Sequence, residues 1–169
     1  MPRRLRSIWL ATSLLGFLAG CATTSDTPAA DIYEAPPPGA PAAYVLGSRI
    51  NKGGLFGDEY TGFVVMIDLK VVDNAKDRWD KPLALAPGKH TLFGEFRYSN
   101  FMARASIPLE VKAGTTYQLM IKYTAAAAPE TQRFNDFWII DKATGKPVTK
   151  VYRQQATGGK TGTIFNVTY

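Results

Sequence analysis

Few residues of this 169-residue chain are equipped for chemistry. It has one histidine, His90, and one cysteine, Cys21. A lone histidine excludes a His-rich zinc site, and any Ser-His-Asp triad would have to be built on His90. His90 follows Pro87-Gly88 and lies two residues before Leu92. That parity puts it on the core side of a strand or at its rim, where it reads as a structural histidine rather than a base or a ligand. Gly158-Gly159-Lys160-Thr161 has the ending of a phosphate-binding loop. The full motif needs a glycine at 154, where Gln154 stands, and a following helix, where Ile164-Phe165-Asn166-Val167 read as strand. Asp73, Asp77 and Asp80 offer the oxygens calcium takes, but Lys76, Arg78 and Lys81 lie among them and repel it. The chain therefore reads as a non-enzyme, with no metal or cofactor assigned.

Two segments are better suited to contact than to catalysis. Asn51-Lys52-Gly53-Gly54-Leu55-Phe56-Gly57 sets Leu55 and Phe56 among glycines that free the backbone. They form a candidate contact loop for lipid or a partner, or else fold over the domain and bury Phe56. The tail from Arg153 is polar and glycine-rich and then alternates through Ile164, Phe165, Val167 and Tyr169. Such a tail can add a strand to a sheet edge, its own or a partner's. Nucleic acid is not an expected partner. Removing Arg3, Arg4 and Arg6 with a leader leaves 17 basic against 14 acidic residues, a net +3 spread along the chain. Nucleic-acid binding needs basic residues gathered on one face.

Elements must hold these residues in place, and the first is an export signal. Met1 to Arg6 is cationic, and Ile8 to Leu18 is an apolar run of eleven residues. As a helix that run spans about 16 Å, too short for a ~30 Å hydrocarbon core. A cationic start and a short apolar run mark residues 1–20 as a secretory signal.

The end of that run, Leu18-Ala19-Gly20-Cys21, resembles the lipobox of bacterial lipoproteins. The resemblance implies cleavage before Cys21 and a thioether from its thiol to diacylglycerol. Each buried methylene contributes about 0.8 kcal/mol, so two or three chains anchor stably. Residue 22 is Ala rather than Asp, which by the usual sorting rule for such lipoproteins favours the outer membrane, with the domain on the periplasmic face.

From residue 22 to 42 the chain turns Pro- and Ala-rich, with Pro28, Pro36, Pro37, Pro38 and Pro41. It reads as an extended linker reaching up to ~60 Å at ~3.1 Å per residue, unless Ile32 and Tyr33 pack part of it on the domain. Residues 43–152 form the domain. A hydrophobic share of 46% is enough for a core. Alternation of period two runs through Phe63–Val72, Lys89–Tyr98, Met102–Val111 and Tyr117–Tyr123, with shorter strands at Leu83–Leu85, Phe134–Ile140 and Val148–Tyr152. Pro108 cannot donate to a ladder, so its strand is an edge or is bulged there. About seven strands with turns near every ten residues predict an all-β fold, a single Ig- or transthyretin-like β-sandwich burying alternate faces.

Three runs within it carry a second resemblance. Leu85-Ala86-Pro87-Gly88-Lys89-His90-Thr91-Leu92 and Val111-Lys112-Ala113-Gly114-Thr115-Thr116-Tyr117-Gln118-Leu119 are similar to strand entries of PEGA-like domains. Phe137-Trp138-Ile139-Ile140-Asp141 with Gly145 is similar to the closing strand of small envelope lipoproteins carrying such a domain. The resemblance implies a fold and brings no catalytic residues. The expectation is a membrane-anchored envelope lipoprotein acting as a non-enzymatic binding or structural module. The alternative is an accessory subunit of an envelope transport or secretion assembly, with an envelope protein as partner.

Overall fold

The computed structural model describes residues 31–51, 59–124 and 133–158. These residues form a β-sandwich of eleven strands: β1 (Ala43–Leu46), β2 (Ser48–Asn51), β3 (Glu59–Ile67), β4 (Lys70–Val71), β5 (Leu83–Leu85), β6 (Gly88–Tyr98), β7 (Phe101–Val111), β8 (Thr116–Thr124), β9 (Phe134–Asp141), β10 (Tyr152–Gln155) and β11 (Thr157–Gly158). One sheet has the order β10-β9-β8-β1-β5. The other has the order β11-β7-β6-β3-β2, with β4 added to the end of β3. Every pairing is antiparallel except β1 with β8.

The core lies between the sheets and follows the alternation. Leu92 and Phe96 from β6, Ile107 from β7, Leu119 and Ile121 from β8, and Phe137 and Ile139 from β9 are all fully or almost fully buried. Pro108 pairs with Thr91 on β6, and β11 covers only Phe101 and Met102 on the other side of β7. Among the described residues β7 is, beyond those two, the edge strand expected from Pro108. On the outer face of this sheet Glu95 is fully buried between Arg97 Nε and Arg104 Nε, each 2.5 Å from a carboxylate oxygen.

The run Phe63–Val72 departs from the expected single strand. The β3–β6 register shifts between Val64 and Met66, so a bulge inserts a residue and reverses the parity. Val64 and Ile67 therefore face the core. Phe63, opposite Glu95, is buried on the other face, outside the core cluster. Two residues later the chain reverses at Asp68-Leu69, and Ile67 pairs with Lys70.

Two more strands precede this run. β1 and β2 form one extended stretch that leaves one sheet and joins the other at Gly47. A Cβ at Gly47 would stand 2.4 Å from the Gly62 carbonyl oxygen and 2.8 Å from that of Trp79, so the crossing admits only glycine. The return strand begins at Tyr152 rather than Val148. In its place the Val148 N–H donates to Ile139 O, and the Ile139 N–H donates to Thr149 Oγ1. Residues 153–158 then add β10 to one sheet and β11 to the other across Ala156.

The segment before Ala43 is part of the domain from Asp31 onward. Ile32 bridges Val71 in parallel, the Tyr33 N–H donates to Val71 O at 2.8 Å, and the Tyr33 hydroxyl donates to Ala84 O at 2.9 Å. Tyr33 packs against the core cluster. A tyrosine able to seal the sandwich rim outweighs the extended preference of the prolines around it.

Strand directions divide the molecule into two poles. At one lie the Asp68-Leu69 turn, the Ala86-Pro87 link, the β7–β8 turn and residues 31–42. At the other lie the Ser99-Asn100 turn and the strand ends Asn51, Glu59, Thr124 and Phe134. β6 runs between them with eleven residues, about 33 Å at ~3.3 Å per residue.

Candidate functional site

Among the described residues, polar groups gather around two clefts at the pole where the chain enters. Asp68 and Leu69 form the two-residue turn between β3 and β4, with φ of 51° and 68°. Two left-handed residues in a hairpin loop make a type I′ turn, which suits the twist of the flanking strands. Asp68 is fixed to β6 by three contacts. Its N–H donates to Thr91 O at 2.9 Å, its Oδ1 accepts the Thr91 N–H at 2.7 Å, and its Oδ2 meets His90 Nδ1 at 2.6 Å.

His90 Nε2 lies 2.8 Å from Ala86 O. A carbonyl only accepts, so the Nε2 side donates to Ala86 O, while Nδ1 faces the Asp68 carboxylate. Burial opposes ionisation of Asp68, but the Thr91 N–H and the His90 ring outweigh it and hold the carboxyl below the usual carboxylate range. The Tyr33 hydroxyl is pushed up, by burial first and by the Asp68 charge second.

The Asp68–His90 pair is the wall between two clefts. One, of about 510 Å³, runs under the proline segment and is lined by Tyr33, Pro36, Pro37, Ile67 and Lys70. The other, of about 330 Å³, is lined by Lys89, Thr91, Pro108, Leu109 and Glu110. The arrangement is suited to holding shape, not to activating a nucleophile. In a triad the imidazole nitrogen remote from the carboxylate faces a hydroxyl or thiol, whereas here it faces a carbonyl oxygen.

His90 is thus at the rim, as its parity requires. Asp73 accepts the Asn74 side-chain amide, and Asp77 lies in the 3₁₀ turn Ala75–Arg78. Among the described residues no three His, Cys, Asp or Glu side chains gather as metal ligands. Gly158 ends β11, while Gly159, Lys160 and Thr161 lie outside the described residues. So do Leu18, Ala19, Gly20 and Cys21, the residues likened to a lipobox, and the candidate contact residues Leu55 and Phe56. The ends of the connection holding Leu55 and Phe56, Asn51 and Glu59, pair with each other at the far pole.

Sequence reasoning missed Asp68, and it named Tyr33 only as a residue that could pack the linker on the domain. Asp68 sits in an alternating run with no Asn-Gly or Asp-Gly to announce a turn. Its only signal is a charge in the middle of an apolar strand. No family model matches the chain, and neither a curated protein nor a solved structure does.

Proposed function

We propose that the protein is an acylated lipoprotein of the bacterial envelope, anchored at Cys21 to the periplasmic face of the outer membrane, whose β-sandwich serves as a non-enzymatic binding or structural module. The observation that carries this reading is Leu18-Ala19-Gly20-Cys21 at the end of a cationic start and an eleven-residue apolar run. The motif runs likened to PEGA-like domains support it as well, since their glycines stand at positive φ, Gly114 and Gly145 in turns and Gly88 at the first residue of β6. The engagement of His90 by Asp68 and Ala86 O favours a binding module over a hydrolase.

The test is Cys21→Ser. Expressed with a fatty-acid probe, the natural chain incorporates label, loses residues 1–20 and fractionates with the outer membrane. Cys21→Ser stays unprocessed and unlabelled. Equal labelling of the two chains overturns the reading.

An accessory role in an envelope assembly is favoured by one feature. The strand ends Asn51, Glu59, Thr124 and Phe134 lie at the pole opposite the entering chain. A protein partner bound at that pole would meet the domain on the side away from the anchor.

A further inference from the structure

We infer that the Asp68-Leu69 hairpin tip is a membrane-contact element, which sets Leu69 and Ile32 into the lipid interface beside the anchor. The inference deepens the reading above and rests on its acylated Cys21.

Leu69 is 73% exposed and Ile32 49% exposed. They belong to adjacent strands of one small patch. Ile32 bridges Val71, the Val71 N–H donates to Asp31 O at 2.7 Å, and Lys70 Nζ lies 3.5 Å from Asp31 Oδ2. Asp31 therefore stands beside Lys70, next to the tip, and the chain reaches the domain at the tip itself. Only residues 22–30 separate Cys21 from Asp31. Fully stretched, they span about 34 Å. The far pole lies about 33 Å beyond the tip, so bringing it to the bilayer uses nearly the whole reach of the tether. The tip touches lipid without extending it.

Leucine is also an odd choice at this site. With φ of 68° it occupies a position that favours glycine or asparagine, and its exposed side chain recovers little by packing. A strained residue kept without a packing return points to a role outside the domain.

The charges at the tip are matched locally. Lys70 meets Asp31, Lys89 stands opposite Glu110, and the Asp68 carboxylate is turned onto the Thr91 N–H and the His90 ring. The contact is therefore apolar, and lipid headgroup charge has little effect on it.

The test uses the acylated protein, whose native thiol is consumed by lipid, in phosphatidylcholine vesicles with brominated acyl chains. A bimane dye is placed through Ile32→Cys or, at the far pole, Asn100→Cys. Quenching at position 32 is expected to exceed that at 100 several-fold, to change little when anionic lipid is added, and to fall by at least half when Leu69→Asp is combined with Ile32→Cys. Equal quenching at the two positions overturns the inference, as does quenching at 32 indifferent to Leu69→Asp. Concentration-dependent dye–dye quenching at 32, with no effect of bromine, would make the tip a contact between copies and overturn it too. Failure of the protein to float with vesicles removes the anchor and this inference together. Floating with a water-exposed tip removes the inference alone.

Discussion

Leucine in the left-handed region brings its Cβ against the following carbonyl, at a cost of roughly 1–2 kcal/mol. Leu69 bears this cost at the solvent-exposed tip. Leu69→Gly creates Asp-Gly, a favoured type I′ pair. After the greater flexibility of glycine in the unfolded chain is deducted, the substitution is expected to stabilise the domain by about 0.5–1 kcal/mol, measured as a raised urea midpoint with unchanged slope. A lowered midpoint would show that Leu69 packs within the fold. Its neighbour Asp68 contributes in the opposite sense. Its carboxyl is held below the usual range, as is that of Asp136, where Arg153 donates two hydrogen bonds and its charge adds to them. A carboxylate with a depressed folded-state pKa stabilises fully above its unfolded value, about 3.9. That contribution is lost as pH falls through the lower folded value. Stability should therefore decline below about pH 4, and Asp68→Asn should flatten part of that decline while lowering stability at pH 7. Parallel pH profiles for the two chains would show that Asp68 contributes nothing through its charge.

Among the elements, the β1–β2 stretch depends on one position. Gly47 crosses between sheets against the carbonyls of Gly62 and Trp79, and its own N–H donates to Trp79 O at 2.7 Å. Backbone atoms cannot swing aside as a flexible side chain does. Gly47→Ala is expected to cost about 2–4 kcal/mol, read as a fall in melting temperature, whereas Gly39→Ala, with nothing within 4 Å of its Cβ but a φ of 87°, lacks this clash and should cost only the left-handed backbone strain, about 1–2 kcal/mol. Similar losses at the two sites would mean that the crossing is not what Gly47 is for. The crossing also shows what the sequence could convey. Long strands such as β6, β7 and β8 repeat their parity four or five times, so their core faces were legible from alternation alone. β1 and β2 have four residues each and exchange sheets between them, which leaves too few repeats to read. The bulge near Val65 reverses parity without glycine or proline to mark it, and the Asp68-Leu69 turn continues the alternation through a reversal of the chain. The candidate site was illegible for the same reason. His90 was visible as a residue, but its partner Asp68 is brought to it by a turn the residue types do not announce.

At the scale of the whole molecule, under the acylation proposed at Cys21, the boundary of the domain governs the reach of the anchor. Counting 22–42 as free linker gave up to ~60 Å. With the chain held from Asp31, nine residues remain between Cys21 and the folded part, and the domain is confined to about half that distance. The confinement holds only if residues 31–42 are a stabilising part of the fold. Tyr33 is half-buried against the core, its hydroxyl bonds Ala84 O, and the backbone on either side of Ile32 exchanges hydrogen bonds with Val71. Partial burial of the ring and four hydrogen bonds, the fourth from the Gly114 N–H to Ala42 O, at roughly 0.5–1 kcal/mol each net of solvation and ordering, together contribute about 3–4 kcal/mol. A chain starting at Asp31 should therefore be more stable by that amount than one starting at Ala43, and Tyr33→Ala, which keeps the backbone bonds, should reproduce only the share of the ring and its hydroxyl. Denaturant unfolding measures both. If the shorter chain unfolds at the same midpoint, residues 31–42 rest on the domain without holding it, the tether recovers its longer reach, and the hairpin tip loses its enforced closeness to the lipid.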